Sequence, residues 1–96
     1  MKPDEILEKW AKFFKKRNEE YGSSYLRHGE IMKLLFPNGI TLETADHFYY
    51  FHIFVLELVK IIRIANSMQA GTSSLDSWKD LAVYAAMFVE KEEEND

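Results

Sequence analysis

Residues 44–68 read TADHFYYFHIFVLELVKIIRIANSM. Neither proline nor glycine interrupts them, and from His47 to Arg63 almost every side chain is apolar or aromatic. The exceptions are His52, Glu57, Lys60 and Arg63, gathered mostly toward the C-terminal half. A helix that is apolar nearly all round must be covered on most sides. The stretch is therefore predicted to be a central, largely buried helix with the rest of the chain packed on it. Lys60 and Arg63 are its anomaly. Two cations one turn apart on a buried helix need partners or a ligand, and the functional reading starts from them.

Working outward, the segment before this helix carries Pro37 and the turn pair Asn38-Gly39. These end a helix predicted over 24–36, with Ser23 or Ser24 as its N-cap and Gly29 as a weak point inside it. Thr41 or Thr44 caps the central helix. A first helix is expected from Pro3 to Glu20. Proline suits the first turn, Asp4 and Glu5 complement the helix dipole there, and Gly22 reads as the stop. Ile6, Trp10, Phe13, Phe14 and Arg17 recur along it at helical spacing. Beyond Gly71 and the polar Thr72-Ser73-Ser74, a fourth helix runs to about Glu90 with Ser73 or Ser74 as cap. Its apolar stripe is Trp78, Leu81, Ala82, Ala85, Phe88 and Val89. No strand alternation is legible, so the fold class is all-α. The expected architecture is a compact four-helix domain over residues 1–90, with an acidic, frayed tail over 91–96.

Composition narrows the function. At 96 residues the chain is one domain that buries roughly two-thirds of its unfolded surface. Apolar residues make up 47% and aromatic residues 15%, too hydrophobic for a disordered chain. Seven Phe, five Tyr and two Trp exceed what a small core needs, and surplus aromatic surface often ends in a subunit interface, so a homo-oligomer is expected. Sixteen acidic and twelve basic residues give a net charge of −4. With no basic stripe to follow a phosphate backbone, nucleic-acid binding is disfavoured. There is no cysteine, which excludes disulfide and thiolate-metal scaffolds. The N-terminal MKPDEILEKW lacks the apolar run of a secretion signal, and the 47–63 run is too short and too charged at one end to span a membrane. A cytoplasmic location is expected.

Lys60 and Arg63 lie about 60° apart on the central helix. Asp76, Asp80 and Tyr84 share one face of the fourth helix at i, i+4, i+8. If the two helices pack antiparallel across a short loop, these acids approach the cations. Two readings stand: a polar pocket where cations hold phosphate and acids hold a base or metal, or an ion-pair network joining two helices. At the end of the first helix, Arg17, Asn18 and Tyr21 offer a phosphate or base contact with a stacking ring, beside the plainer reading of a glycine-capped helix end. His47 and His52 are about 140° apart on a helix, which is not the i, i+4 pair a zinc site uses. No Ser-His-Asp arrangement and no glycine-rich phosphate loop is present. The aromatic run 48–51 reads as core or interface.

Three segments taken together resemble a known family. They are Arg17-Asn18-Glu19-Glu20-Tyr21-Gly22, then Lys60-Ile61-Ile62-Arg63, then Asp76-Ser77-Trp78-Lys79-Asp80-Leu81-Ala82-Val83-Tyr84. Their order and spacing resemble the phage-enriched nucleotide modification associated domain 1 family, over roughly residues 17–88. The chain is more distantly similar to the all-α pyrophosphatases of the MazG and dimeric dUTPase kind. The resemblance implies an α-helical, phage-type nucleotide-binding protein, in the host cytoplasm if phage-encoded. Its ligand-binding residues would be Arg17, Asn18, Tyr21, Lys60, Arg63, Asp76, Asp80 and Tyr84. The pyrophosphatases carry a Glu-Glu-x-x-Glu cluster that this chain lacks, having only Glu57 on the central helix.

Binding of a nucleotide or cyclic nucleotide without turnover is thus the leading expectation, with no cofactor. In a phage setting the protein would sequester a nucleotide immune signal or assist nucleotide modification. The alternatives are a Mg²⁺-dependent nucleoside triphosphate pyrophosphatase with Glu57, Asp76 and Asp80 on the metal, and a structural or protein-interaction module.

Overall fold

Four helices form where the local signals put them. A computed structural model describes the backbone of residues 1–21 and 24–94 and the side chains of all of these except Glu20, Tyr21, Ser24 and Tyr25. The helices are α1 (Pro3–Tyr21), α2 (Ser24–Leu35), α3 (Ala45–Gln69) and α4 (Leu75–Glu94). The expected stop at Gly22 and cap at Ser23 lie outside the described residues. Among those described there is no strand, and no helix is long and apolar enough to cross a membrane.

The ends of α3 fix where it can pack. Thr44 is its N-cap. The Thr44 hydroxyl accepts from the His47 backbone N–H at 3.1 Å, and His47 Nδ1 accepts from the Thr44 backbone N–H at 3.4 Å. Two donors that the helix itself cannot satisfy are thereby satisfied reciprocally. At the other end Gly71 takes φ +74°, a left-handed conformation that glycine adopts without strain. Its N–H donates to Met68 O and that of Thr72 donates to Ser67 O, the double closure of a Schellman turn. The chain reverses within five residues, and α4 returns along α3.

That antiparallel pair is the best-packed part of the fold. Asp46 meets Lys91 at 3.5 Å, the Tyr49 hydroxyl donates to Met87 O at 3.1 Å, and the Tyr50 and Phe88 rings lie 5.3 Å apart. Ile53, Leu58, Ile62 and Ile64 are buried. α2 joins α3 through Phe36, edge-on to Phe54 at 5.4 Å, and through Arg27, which donates to Asn66 Oδ1 at 2.7 Å. α4 also runs past its expected end at Glu90 to Glu94, so the first part of the expected tail is helix. The Lys91–Asp46 contact holds that last turn to α3.

The central position of α3 holds, but its burial is one-sided. Phe48, Ile61 and Met68 are exposed, because among the described residues most of its cover comes from α4, with a smaller share from α2. α1 makes marginal contact with the other helices. The molecule measures 52 × 35 × 29 Å with a radius of gyration of 17.0 Å, against about 12 Å for a compact chain of this length.

Candidate functional site

Antiparallel packing brings the third of the quoted segments onto the second. Lys60 Nζ lies 2.8 Å from Asp80 Oδ2. The lysine side chain is 13% exposed and the aspartate 41%, so the cation sits at the bottom of the seam and the carboxylate at its rim. Three residues before Lys60, and so on the same side of α3, lies Glu57. Its Oε1 is sealed from solvent without a hydrogen-bond partner, although the residue as a whole is only half-buried. Burial raises the Glu57 carboxyl above its ordinary value, since a low-dielectric setting penalises the charged form.

Arg63 is half-buried one turn further along α3 and is engaged in contacts of its own. Tyr84 is half-buried one turn beyond Asp80. Asp76 is exposed in the first turn of α4, where its charge complements the helix dipole. Behind it, Ser74 donates to the hydroxyl of buried Ser77 at 2.7 Å. Among the described residues no three His, Cys, Asp or Glu side chains come together as a metal-holding group. Glu57, Asp76 and Asp80 therefore do not converge as a ligand set.

As far as Tyr21, the first segment lies on α1, the helix packed least against the others among the described residues. The Arg17 guanidinium stands 5.1 Å over the Phe13 ring, Asn18 is half-buried with contacts of its own, and the Tyr21 side chain is outside the described residues. A second concavity was not expected from the sequence. Phe36, Ile40, Leu42, Tyr50, Phe51 and Phe54 line an open apolar cavity of about 260 Å³, with His47 at its edge. The signal lies in Phe51 and Phe54, one turn apart on α3 and both against Phe36, whereas Tyr49 and Tyr50 of the aromatic run also meet α4.

Compared with protein-family models, curated proteins and solved structures, the chain has no match.

Proposed function

We propose that this protein binds a phosphate-bearing nucleotide at the α3–α4 seam without turning it over. One observation carries the reading. A nearly buried lysine is neutralised at 2.8 Å by an aspartate that is itself half in water, beside a carboxyl oxygen that is buried and unpartnered. Such a pair is exchangeable. An incoming phosphate takes the ammonium by charge-assisted hydrogen bonds, and Asp80 turns outward to solvent. Arg63, one turn away, adds a second cation. The buried, unpartnered oxygen of Glu57 is an acceptor for a base amino group or a ribose hydroxyl. The resemblance of the three segments supplies the nucleotide class and the phage setting, in which such a binder would sequester a nucleotide signal in the host cytoplasm or serve nucleotide modification.

Hydrolysis is served less well. Mg²⁺ asks for several oxygen ligands in octahedral geometry, and the three acids expected to hold it do not converge. A second reading has its own support. Lys60 and Asp80 already satisfy one another, which is what a strut between two helices requires. A binding experiment separates the readings. The protein is incubated with linear, cyclic and modified nucleotides plus Mg²⁺, washed and denatured, and the released material is identified by mass spectrometry. Intact nucleotide in stoichiometric amount is expected, with at least tenfold weaker binding in a folded Lys60→Met variant. Absence of binding across the panel would leave the strut. Accumulating monophosphate and pyrophosphate would restore the enzyme.

A further inference from the structure

The least packed element of the fold also leaves large apolar side chains in solvent. Along α1, Leu7, Trp10 and Phe13 are 62%, 62% and 58% exposed. They recur every three residues and so form one slowly turning stripe. Isolated exposed apolar residues are ordinary, but a continuous aromatic stripe on a helix marks an interaction surface.

The area says how large the missing partner is. The chain exposes 7609 Å². A folded monomer of 11.3 kDa exposes about 5,700 Å². The excess is about 1,900 Å² per chain, or about 3,800 Å² for two chains, which falls among obligate homo-oligomers and well above transient contacts.

Charge selects among occupants. Over Pro3–Tyr21 the five cations Lys9, Lys12, Lys15, Lys16 and Arg17 are balanced by Asp4, Glu5, Glu8, Glu19 and Glu20. The helix as a whole thus carries no net charge, whereas an amphipathic helix that seeks an anionic membrane is net positive. Its charges are nonetheless segregated. The five cations fall between residues 9 and 17 with no acid among them, while Glu90, Glu92, Glu93 and Glu94 outweigh Lys91 at the end of α4. A second copy of the chain offers both what α1 lacks: an uncovered apolar surface and an acidic helix end.

We infer that α1 is an assembly helix, and that its Leu7–Trp10–Phe13 stripe is covered by a second copy of this chain in a symmetric oligomer. Each copy then supplies an α1 and receives one, as closed symmetry requires. The inference does not depend on nucleotide binding.

The test uses the full chain. Its mass is measured by sedimentation equilibrium, without nucleotide, from 1 to 100 µM. A dimer or larger closed oligomer is expected, weakened at least tenfold by Trp10→Glu. Because that variant could lose its fold along with its partner, a second measurement is independent of it. The chain has no cysteine, so Lys9→Cys, beside the stripe, takes a single dye. Donor- and acceptor-labelled copies should show energy transfer that is diluted away by unlabelled protein. Three results would overturn the inference: a monomer at 100 µM, an oligomer that Trp10→Glu leaves intact, or an oligomer without energy transfer at position 9. Binding of the monomer to anionic vesicles would assign the stripe to a membrane instead.

Discussion

Replacing Asp80 with alanine should cost more stability than replacing Lys60 with methionine, although both remove the same ion pair. The asymmetry follows from where the two charges sit. With Asp80 gone, an ammonium only 13% exposed loses the carboxylate 2.8 Å away. Breaking a fully buried pair on one side costs about 3–5 kcal/mol. A lysine can swing its charged end partly toward water, so about 2 kcal/mol is expected. With Lys60 changed to methionine the stem still packs, and the remaining carboxylate, 41% exposed, regains water. That loss should be about 1 kcal/mol or less, as for exposed pairs. In a chain of this size 1 kcal/mol moves Tm by about 4–8 °C. Asp80→Ala should therefore melt about 8–16 °C lower, and Lys60→Met no more than about 8 °C lower. The double variant should lose only about 1 kcal/mol, less than Asp80→Ala alone and well short of the 3 of simple addition, because the orphaned charge is then absent. Denaturant titrations followed by circular dichroism, at one fixed protein concentration, provide the values, since association itself contributes to stability. Equal losses in the two single variants, or strict additivity in the double, would refute the view that Lys60 is the buried partner.

Two further outcomes follow from the same helix. Burial raises the Glu57 carboxyl above its ordinary 4.5, so the folded state binds its proton more tightly than the unfolded chain does. The stability associated with the neutral carboxyl is full below about pH 4.5 and is lost as pH rises through the folded value. Glu57→Gln should therefore be more stable than the parent at pH 8, with the gap closing toward pH 4.5; a gap independent of pH in chemical denaturation would contradict the assignment. Thr44→Ala removes the hydroxyl that caps α3 and should lower unfolding free energy by about 1 kcal/mol, with hydrogen exchange rising first in the amides of residues 45–48.

Much of this arrangement is legible in the residues. Pro37, Thr44 and Gly71 punctuate the helices because each acts locally, through a missing donor, a side-chain acceptor or a left-handed φ. The Lys60–Asp80 contact follows from one further step, since so short a turn forces α4 back along α3. The orphaned oxygen of Glu57 was not legible. Its isolation depends on which α4 side chains come opposite it, a matter of register that spacing leaves open. The end of α4 was misread for a similar reason. A run of glutamates looks like a solvated tail, and only the distant Asp46 gives Lys91 a reason to hold the last turn. Residues 44–68 called for cover on most sides, and α1 showed an apolar stripe, yet nothing in either pattern says that the two need not meet within one chain.

The reversal at Gly71 has a kinetic consequence. It joins two helices consecutive in the chain, so that Lys60 meets Asp80 first and the pairing can zip outward to Tyr50 and Phe88, with each contact closing only a small further loop. Helical hairpins of this kind assemble on the microsecond-to-millisecond scale. The α1 stripe has no comparable local destination, and if another chain covers it, that step is second order in protein. Refolding should then divide into a fast phase indifferent to dilution and a slow one that dilution retards.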